Sequence, residues 1–326
     1  MMEGMKESLA YCSANFSPFQ FHQLRIIEFP DYGTFAESFA NTIPFSESIG
    51  FITKVRDTPG TVNLPFYVTA HETGHQWWAH QAISAYIQGA TSIDETMAQY
   101  TALMVMKQHF GGDAMQRFLR FELDRYLMGR GLERNEETAL YRVDPNQGYI
   151  HYRKGSLVMY ALQDYAGEDK VNEAIRGFLN QFAFKDAPYP VSLDLEGYFR
   201  KESPEQYGYL FDDLFTHITI YDDRALAADY VKQPDGKYQV HLVVKSKKFR
   251  ADGRGQEHEI PINDWIDIGV LDSGGKYLYL ERKKIDQAKN DFTLTVDRLP
   301  AKAGIDPLDK MIDRNPDDNV IAVKKK

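Results

Sequence analysis

The sequence predicts a mainly α protein in two parts: a helical domain over residues 1–225, then a small sheet-on-sheet domain over residues 226–326. Two changes of texture carry that prediction. Apolar residues recur at helical spacing through the first part, whereas from Lys237 the period falls to two. Gly236, Gly253, Gly255, Gly274 and Gly275 then punctuate the alternating runs, as turns between strands require.

Met2, Met5, Leu9, Cys12 and Phe16 form a helical stripe, so the chain opens inside an amphipathic helix, an expectation that fits a piece of something longer. Leu24 to Phe29 has strand character. Residues 30–60 look loop-rich, with Gly33, Pro44, Gly50, Pro59 and Gly60 as breakers. Pro65 suits the first turn of a helix running to about Ile83. Residues 89–92 interrupt the pattern, and a helix from Ile93 carries Met97, Leu103, Val105 and Met106 toward His109. Further helices are predicted over 113–127, 150–165, 169–182, 192–200 and 204–218. An Asp-rich linker over 222–235 leads to strands over 238–244, 260–270, 277–281 and 291–296. The acidic, turn-rich stretch 306–318 is expected to be a solvated loop, because its spacing matches no standard calcium loop.

Composition limits the function. With 326 residues, 43% hydrophobic and a net charge of -9, the chain has no dense basic stripe, which argues against nucleic acid as a partner. Lys245–Lys248 and Lys324–Lys326 are expected to be a solvated strand edge and a tail. The single cysteine, Cys12, excludes an internal disulfide framework and fits a reducing compartment. No stretch is apolar and long enough to span a bilayer, and the N-terminus lacks the basic-then-apolar order of a signal peptide.

The chemistry concentrates in His71-Glu72-Thr73-Gly74-His75, followed by Glu95 in Ser92-Ile93-Asp94-Glu95-Thr96. Histidines four apart on a helix share one face and can both reach one ion. Glu72, one position round from His71, suits a general base acting on metal-bound water. Three protein ligands leave a fourth position open, and Glu95 from the next helix is the preferred third. His80 lies five residues past His75 and is rotated off the face; Asp94 is shorter and points elsewhere. Ser92-x-x-Glu95 is also a capping box, which would occupy Glu95 without any metal. An oxyanion needs a further donor, and 20 tyrosines leave the choice open; Tyr149, His151, Tyr152 and Tyr160 fall near one helix, with Gly155 permitting close packing.

The string His71 to His75 with Gln76-Trp77-Trp78 and Asp94-Glu95-Thr96-Met97-Ala98 resembles the M1 family of zinc metallopeptidases, the aminopeptidase N family. The spacing to Glu95 is one residue longer than usual there. Residues 88–91, 98–106, 151–160 and 315–319 are similar to a bacterial branch in which this peptidase is fused to an ABC-transporter permease-like membrane region. The resemblance implies a thermolysin-like helical catalytic domain, a following β-sandwich, Zn2+ held by His71, His75 and Glu95, a peptide substrate, and Tyr152 of Tyr152-Arg153-Lys154-Gly155 as the oxyanion donor. It implies Glu72 as the catalytic base. It also implies that the chain corresponds to a C-terminal portion, cytoplasmic or membrane-associated through a missing N-terminal region. One departure stands out: the segment that should hold Met-Glu-Asn for the substrate α-amine lacks it, leaving Glu37 and Glu47 as candidates. The alternative function is a weakly active or non-catalytic module of a transporter-associated protein.

Overall fold

The computed structural model describes residues 1–55 and 62–326. Pro59 and Gly60, expected as loop breakers, lie outside the described residues. The chain divides into two compact units, Met1–Thr216 and His217–Lys326.

The first unit is mainly helical, as expected. It opens with α1 (Met2–Asn15), whose Met5, Tyr11 and Cys12 are buried. Strands β1 (Arg25–Phe29) and β2 (Thr42–Ser46) pair in parallel. Residues 35–39 fold back antiparallel on β2, through Phe39 N–H to Thr42 O (2.8 Å) and Ser46 N–H to Phe35 O (3.0 Å). A hairpin therefore stands where only loop was expected, its turn made by Asn41 at a φ of 53°. A short α2 (Glu47–Gly50) follows.

The next two helices form the centre of the unit. In α3 (Leu64–Gly74) the Asn63 carboxamide accepts the Phe66 N–H, and Pro65 takes a first-turn position where no N–H is needed. This helix stops at Gly74 rather than near Ile83. Trp77 and Trp78 are fully buried, and their ring N–H groups donate to Ser17 O and Thr101 Oγ1. The chain then turns at Ala79 with φ 81°. Burying two tryptophans outweighs the remaining local helical preference. Against α3 packs α4 (Ala90–Phe110), buried without a break from Thr96 to Met106. The contact is close: a Cβ on Gly74 would sit 3.0 Å from Thr101 Cβ and 3.2 Å from Ala98 Cα. The unit is completed by α5 (Gly112–Leu132), a π-helical segment Tyr149–Lys154 running into α6 (Gly155–Ala166), then α7 (Glu168–Phe182) and α8 (Ser192–Glu202).

The second unit is β-rich and open. Its strands are β3 (Ile218–Lys232), β4 (Tyr238–Ala251), β5 (Glu257–Ile260), β6 (Asp264–Leu271), β7 (Tyr277–Ile285), β8 (Lys289–Val296), β9 (Lys302–Ile305), β10 (Val320–Ala322) and β11 (Lys324–Lys325). One sheet has the order β10-β9-β6-β7; the other runs β11-β3-β4-β5, with β8 also on β4. Val240, Leu242 and Val244 alternate inward along β4, and Ile266, Ile268 and Val270 do so along β6.

Three sequence expectations change here. The Asp-rich linker is strand β3, paired along its length with β4; Tyr221, Asp223 and Ala225 share its buried face, where Asp223 accepts the Ser246 hydroxyl. Lys248 is not on a solvated edge: β4 is paired on both sides, and Lys248 Nζ lies 2.8 Å from buried Asp264. Its neighbours Lys245 and Lys247 face outward to Asp222 and Glu259, as the period-two pleat dictates. Finally, 306–318 is not a solvated loop. Asp306, Lys310, Met311, Ile312 and Asp313 are buried, and the acids accept backbone N–H groups of Lys310, Met311, Asp223 and Asn315.

Candidate metal centre

The geometry begins with the ends of two helices. His71 lies in the last turn of α3 and His75 caps it at φ -61° and ψ -17°, so the four-residue spacing survives although the helix stops. Opposite them α4 begins at Gly89, whose φ of 91° and approach to the Tyr141 carbonyl leave no room for a Cβ. Ser92 Oγ donates to Gly89 O at 2.6 Å rather than accepting a backbone N–H. No capping box forms, and Glu95 is left to face the histidines.

His71 Nε2 to Glu95 Oε2 is 3.2 Å, His75 Nε2 to Glu95 Oε2 is 3.3 Å, and the two Nε2 atoms are 3.2 Å apart. Tetrahedral donors about 2.0–2.1 Å from a zinc-sized ion lie about 3.3–3.4 Å from one another, so this triangle fits one face of such a site. His75 Nδ1 lies 3.3 Å from the Trp78 carbonyl. Donation there fixes the tautomer that leaves the Nε2 lone pair facing its partners. Two nitrogens and an oxygen acceptor turned on one point call for a cation. Among the described residues, this is the group of His, Cys, Asp or Glu side chains able to hold one.

Charge in the cluster follows the same logic. Burial opposes the charged form of His75, but hydrogen bonding and charge from Glu95 prevail and push its pKa up to about 9. Burial likewise opposes ionised Glu95, yet the two histidines hold its carboxyl well below the usual range. An arriving ion would displace the His75 proton, so uptake of metal should weaken on acidification. Glu72 is buried beside His71, and desolvation raises its pKa against the opposing pull of both histidines. Burial also raises the Tyr152 phenol, reinforced by the Glu95 carboxylate to which it hydrogen-bonds. Its ring lies 5.6 Å from that of His71.

The competing candidates point elsewhere. His80 Nε2 lies 3.1 Å from Ser38 O, and Asp94 accepts the Ser84 hydroxyl at 2.7 Å while burial pushes its pKa up to about 6. Glu47 Oε1 accepts the Asp31 N–H at 3.0 Å. Glu37 is exposed on the hairpin, where its charge adds to the upward shift of Glu72.

Sequence reasoning missed the framework behind Tyr152. Gln99 accepts the Tyr67 hydroxyl at 2.7 Å and donates to Ser156 Oγ at 2.9 Å, next to the Tyr152 backbone. Thr96, one residue past Glu95, donates to His151 O at 2.7 Å, and a Cβ on Gly155 would come within 2.7 Å of the Thr96 side chain. Arg153 pairs with fully buried Glu122 at 2.8 Å. The π-helical segment is thus pinned to α4 and α5 on either side of Tyr152. The polar residues recurring along α4 were the available signal. A cleft of about 640 Å³ opens from His71, Glu72 and Tyr152, walled by Phe35, Leu64, Val68, Phe118 and Phe121.

The profile of the peptidase family M1 domain matches residues 1–193. The chain belongs to peptidase family M1. This M1 chain is 24% identical over 179 residues to "Probable aminopeptidase 1" of Sulfurisphaera tokodaii, a match covering 52% of the chain and 22% of that protein. Its fold is similar to the crystal structure of Legionella pneumophila aminopeptidase A in complex with aspartic acid, with a TM-score of 0.59 and 18% identity. That similarity covers 100% of this chain and 34% of the other. The M1 chain therefore spans about a fifth of the curated relative and a third of the solved one.

Proposed function

We propose that this M1 chain hydrolyses peptide bonds with Zn2+ held by His71, His75 and Glu95. The convergence of three acceptor atoms into a triangle with edges of 3.2–3.3 Å carries the reading. Two imidazoles, one carboxylate and a small tetrahedral face suit zinc better than the larger oxygen-only sites of calcium. Zinc, when bound, supplies Lewis acidity that acidifies water and polarises the scissile carbonyl. Glu72 accepts the proton of the attacking water and delivers it to the amine nitrogen as the C–N bond breaks. Its burial raises its pKa above the usual carboxylate range, the direction that favours passing the proton on to the amine. Tyr152, kept protonated by burial and by Glu95, donates its O–H to the oxyanion.

The family and the curated relative support aminopeptidase action; in that reading Glu37 or Glu47 receives the substrate amine. A second reading, a transporter-associated module with weak turnover, draws on the missing Met-Glu-Asn and on Glu47 being engaged by the Asp31 N–H. It also draws on the residues similar to the transporter-fused branch, which would place the chain within or beside a membrane protein. No described helix is long and apolar enough to cross a membrane. Hydrolysis of aminoacyl chromogenic substrates by the zinc-loaded chain separates the two. Under the enzyme reading E72Q keeps one zinc and loses turnover about 10²–10⁴-fold. Equal rates for E72Q and the parent would favour the module.

A further inference from the structure

The cleft that runs from the metal centre is lined mainly by apolar side chains, and its charges are unevenly distributed. Among the described residues lining it, Glu72 is the carboxylate, whereas Lys54, Arg125 and Arg153 are cations. This local excess sits in a chain whose net charge is -9. Arg153 is already answered by Glu122 at 2.8 Å. Arg125 is not. On α5, Phe118, Phe121 and Arg125 follow one another at helical spacing along the face that lines the cleft. The Arg125 guanidinium lies 4.2 Å from the Phe121 ring centroid, stacked on an aromatic surface and forming no ion pair among the described residues. A guanidinium held this way keeps its donors in a fixed plane, the shape that grips a carboxylate with two hydrogen bonds.

Extended over the peptidase reading on which it rests, this arrangement names a substrate class. We propose that Arg125, assisted by Lys54, makes the cleft select peptides that pair an apolar residue with a carboxylate. The apolar residue lies against Phe118, Phe121, Leu64 and Val68; the carboxylate meets the guanidinium at the end of the aromatic stripe. A peptide with a free C-terminus and one with an acidic side chain offer the same group. The cleft volume of about 640 Å³ suits a short peptide segment.

The test uses three probes: Leu-Phe-Leu with a free C-terminus, its C-terminal amide, and Leu-Phe-Glu amide. Calorimetric Kd values are measured on the E72Q chain, where turnover does not interfere, and on the same chain carrying R125Q or R125K. The expected result is that at least one carboxylate-bearing probe binds about tenfold tighter than the neutral amide. That ratio should fall to about one in R125Q and be partly kept in R125K. Preference for the first probe assigns the C-terminal carboxylate; preference for the third assigns the side chain. Equal Kd values for all three, or a ratio unchanged in R125Q, would overturn the proposal. Failure of the parent chain to cleave any probe counts against the peptidase reading alone, because the Kd ratios are read without turnover.

Discussion

The sheet unit and the metal centre both bury charged side chains, but they resolve that burial in different ways. In the sheet unit, buried Asp264, Asp267, Asp306 and Asp313 are answered from within the protein. Asp264 takes Lys248 and the Tyr221 hydroxyl; Asp267 takes Lys310 and Arg282; Asp306 and Asp313 take backbone N–H groups. At the metal centre His71, His75 and Glu95 bring three ligand atoms onto one point, and the cleft opens beside them. Buried charge alone is therefore a poor guide to a site. Convergence of metal-ligand atoms on one point beside accessible space is the discriminating feature.

The contrast can be tested by perturbing each side. Y152F removes a donor aimed at the reacting centre, and turnover should fall about 10²–10³-fold while zinc content and the denaturation midpoint hold. Loss of zinc in Y152F would mean that the phenol supports the metal site instead. K248M should show the reverse pattern. It strands Asp264 in the sheet core and should cost about 3–5 kcal/mol in urea denaturation, with one zinc still bound per chain. An unchanged midpoint would show that this pair contributes nothing to the sheet unit.

A smaller effect separates the sheet acids by pH. Burial pushes the Asp313 carboxyl up to about 6, against the N–H bonds it accepts, and burial with the charge of Asp313 raises Asp223 well above the usual range. A carboxyl whose pKa rises on folding stabilises below its unfolded pKa, and that contribution fades as pH climbs through the folded value. Unfolding free energy should therefore decline between about pH 4 and pH 7, by roughly 2–3 kcal/mol for a shift of this size. D313N should flatten that part of the profile; an identical slope in D313N would assign it to other groups.

The sequence made the metal centre legible because its main signal is local. A four-residue spacing of histidines keeps its meaning even where α3 ends at Gly74, since His75 retains helical angles. Glu95 was ambiguous for a physical reason: whether Ser92 caps the helix depends on where α4 begins. That start is set by Gly89 beneath the Tyr141 carbonyl, a contact between distant residues. Tyr152 could be singled out only by family resemblance, because its orientation comes from Gln99, Thr96 and Gly155 packing across three elements. The fold class was visible in the change of period. Strand β3 and the segment 306–318 were not, since acidic composition suggests solvent and the satisfying donors belong to remote strands and turns. Arg125 showed no signal until α5 lined a cleft.

The most direct test of the central claim is anomalous diffraction at the zinc edge from crystals of the zinc-loaded chain. The expected map places one zinc about 2.0–2.1 Å from His71 Nε2, His75 Nε2 and a Glu95 oxygen, with Glu72 beside it and uncoordinated. Zinc bound through His80 or Asp94 instead, or no zinc at the His71–Glu95 triangle, would contradict the account.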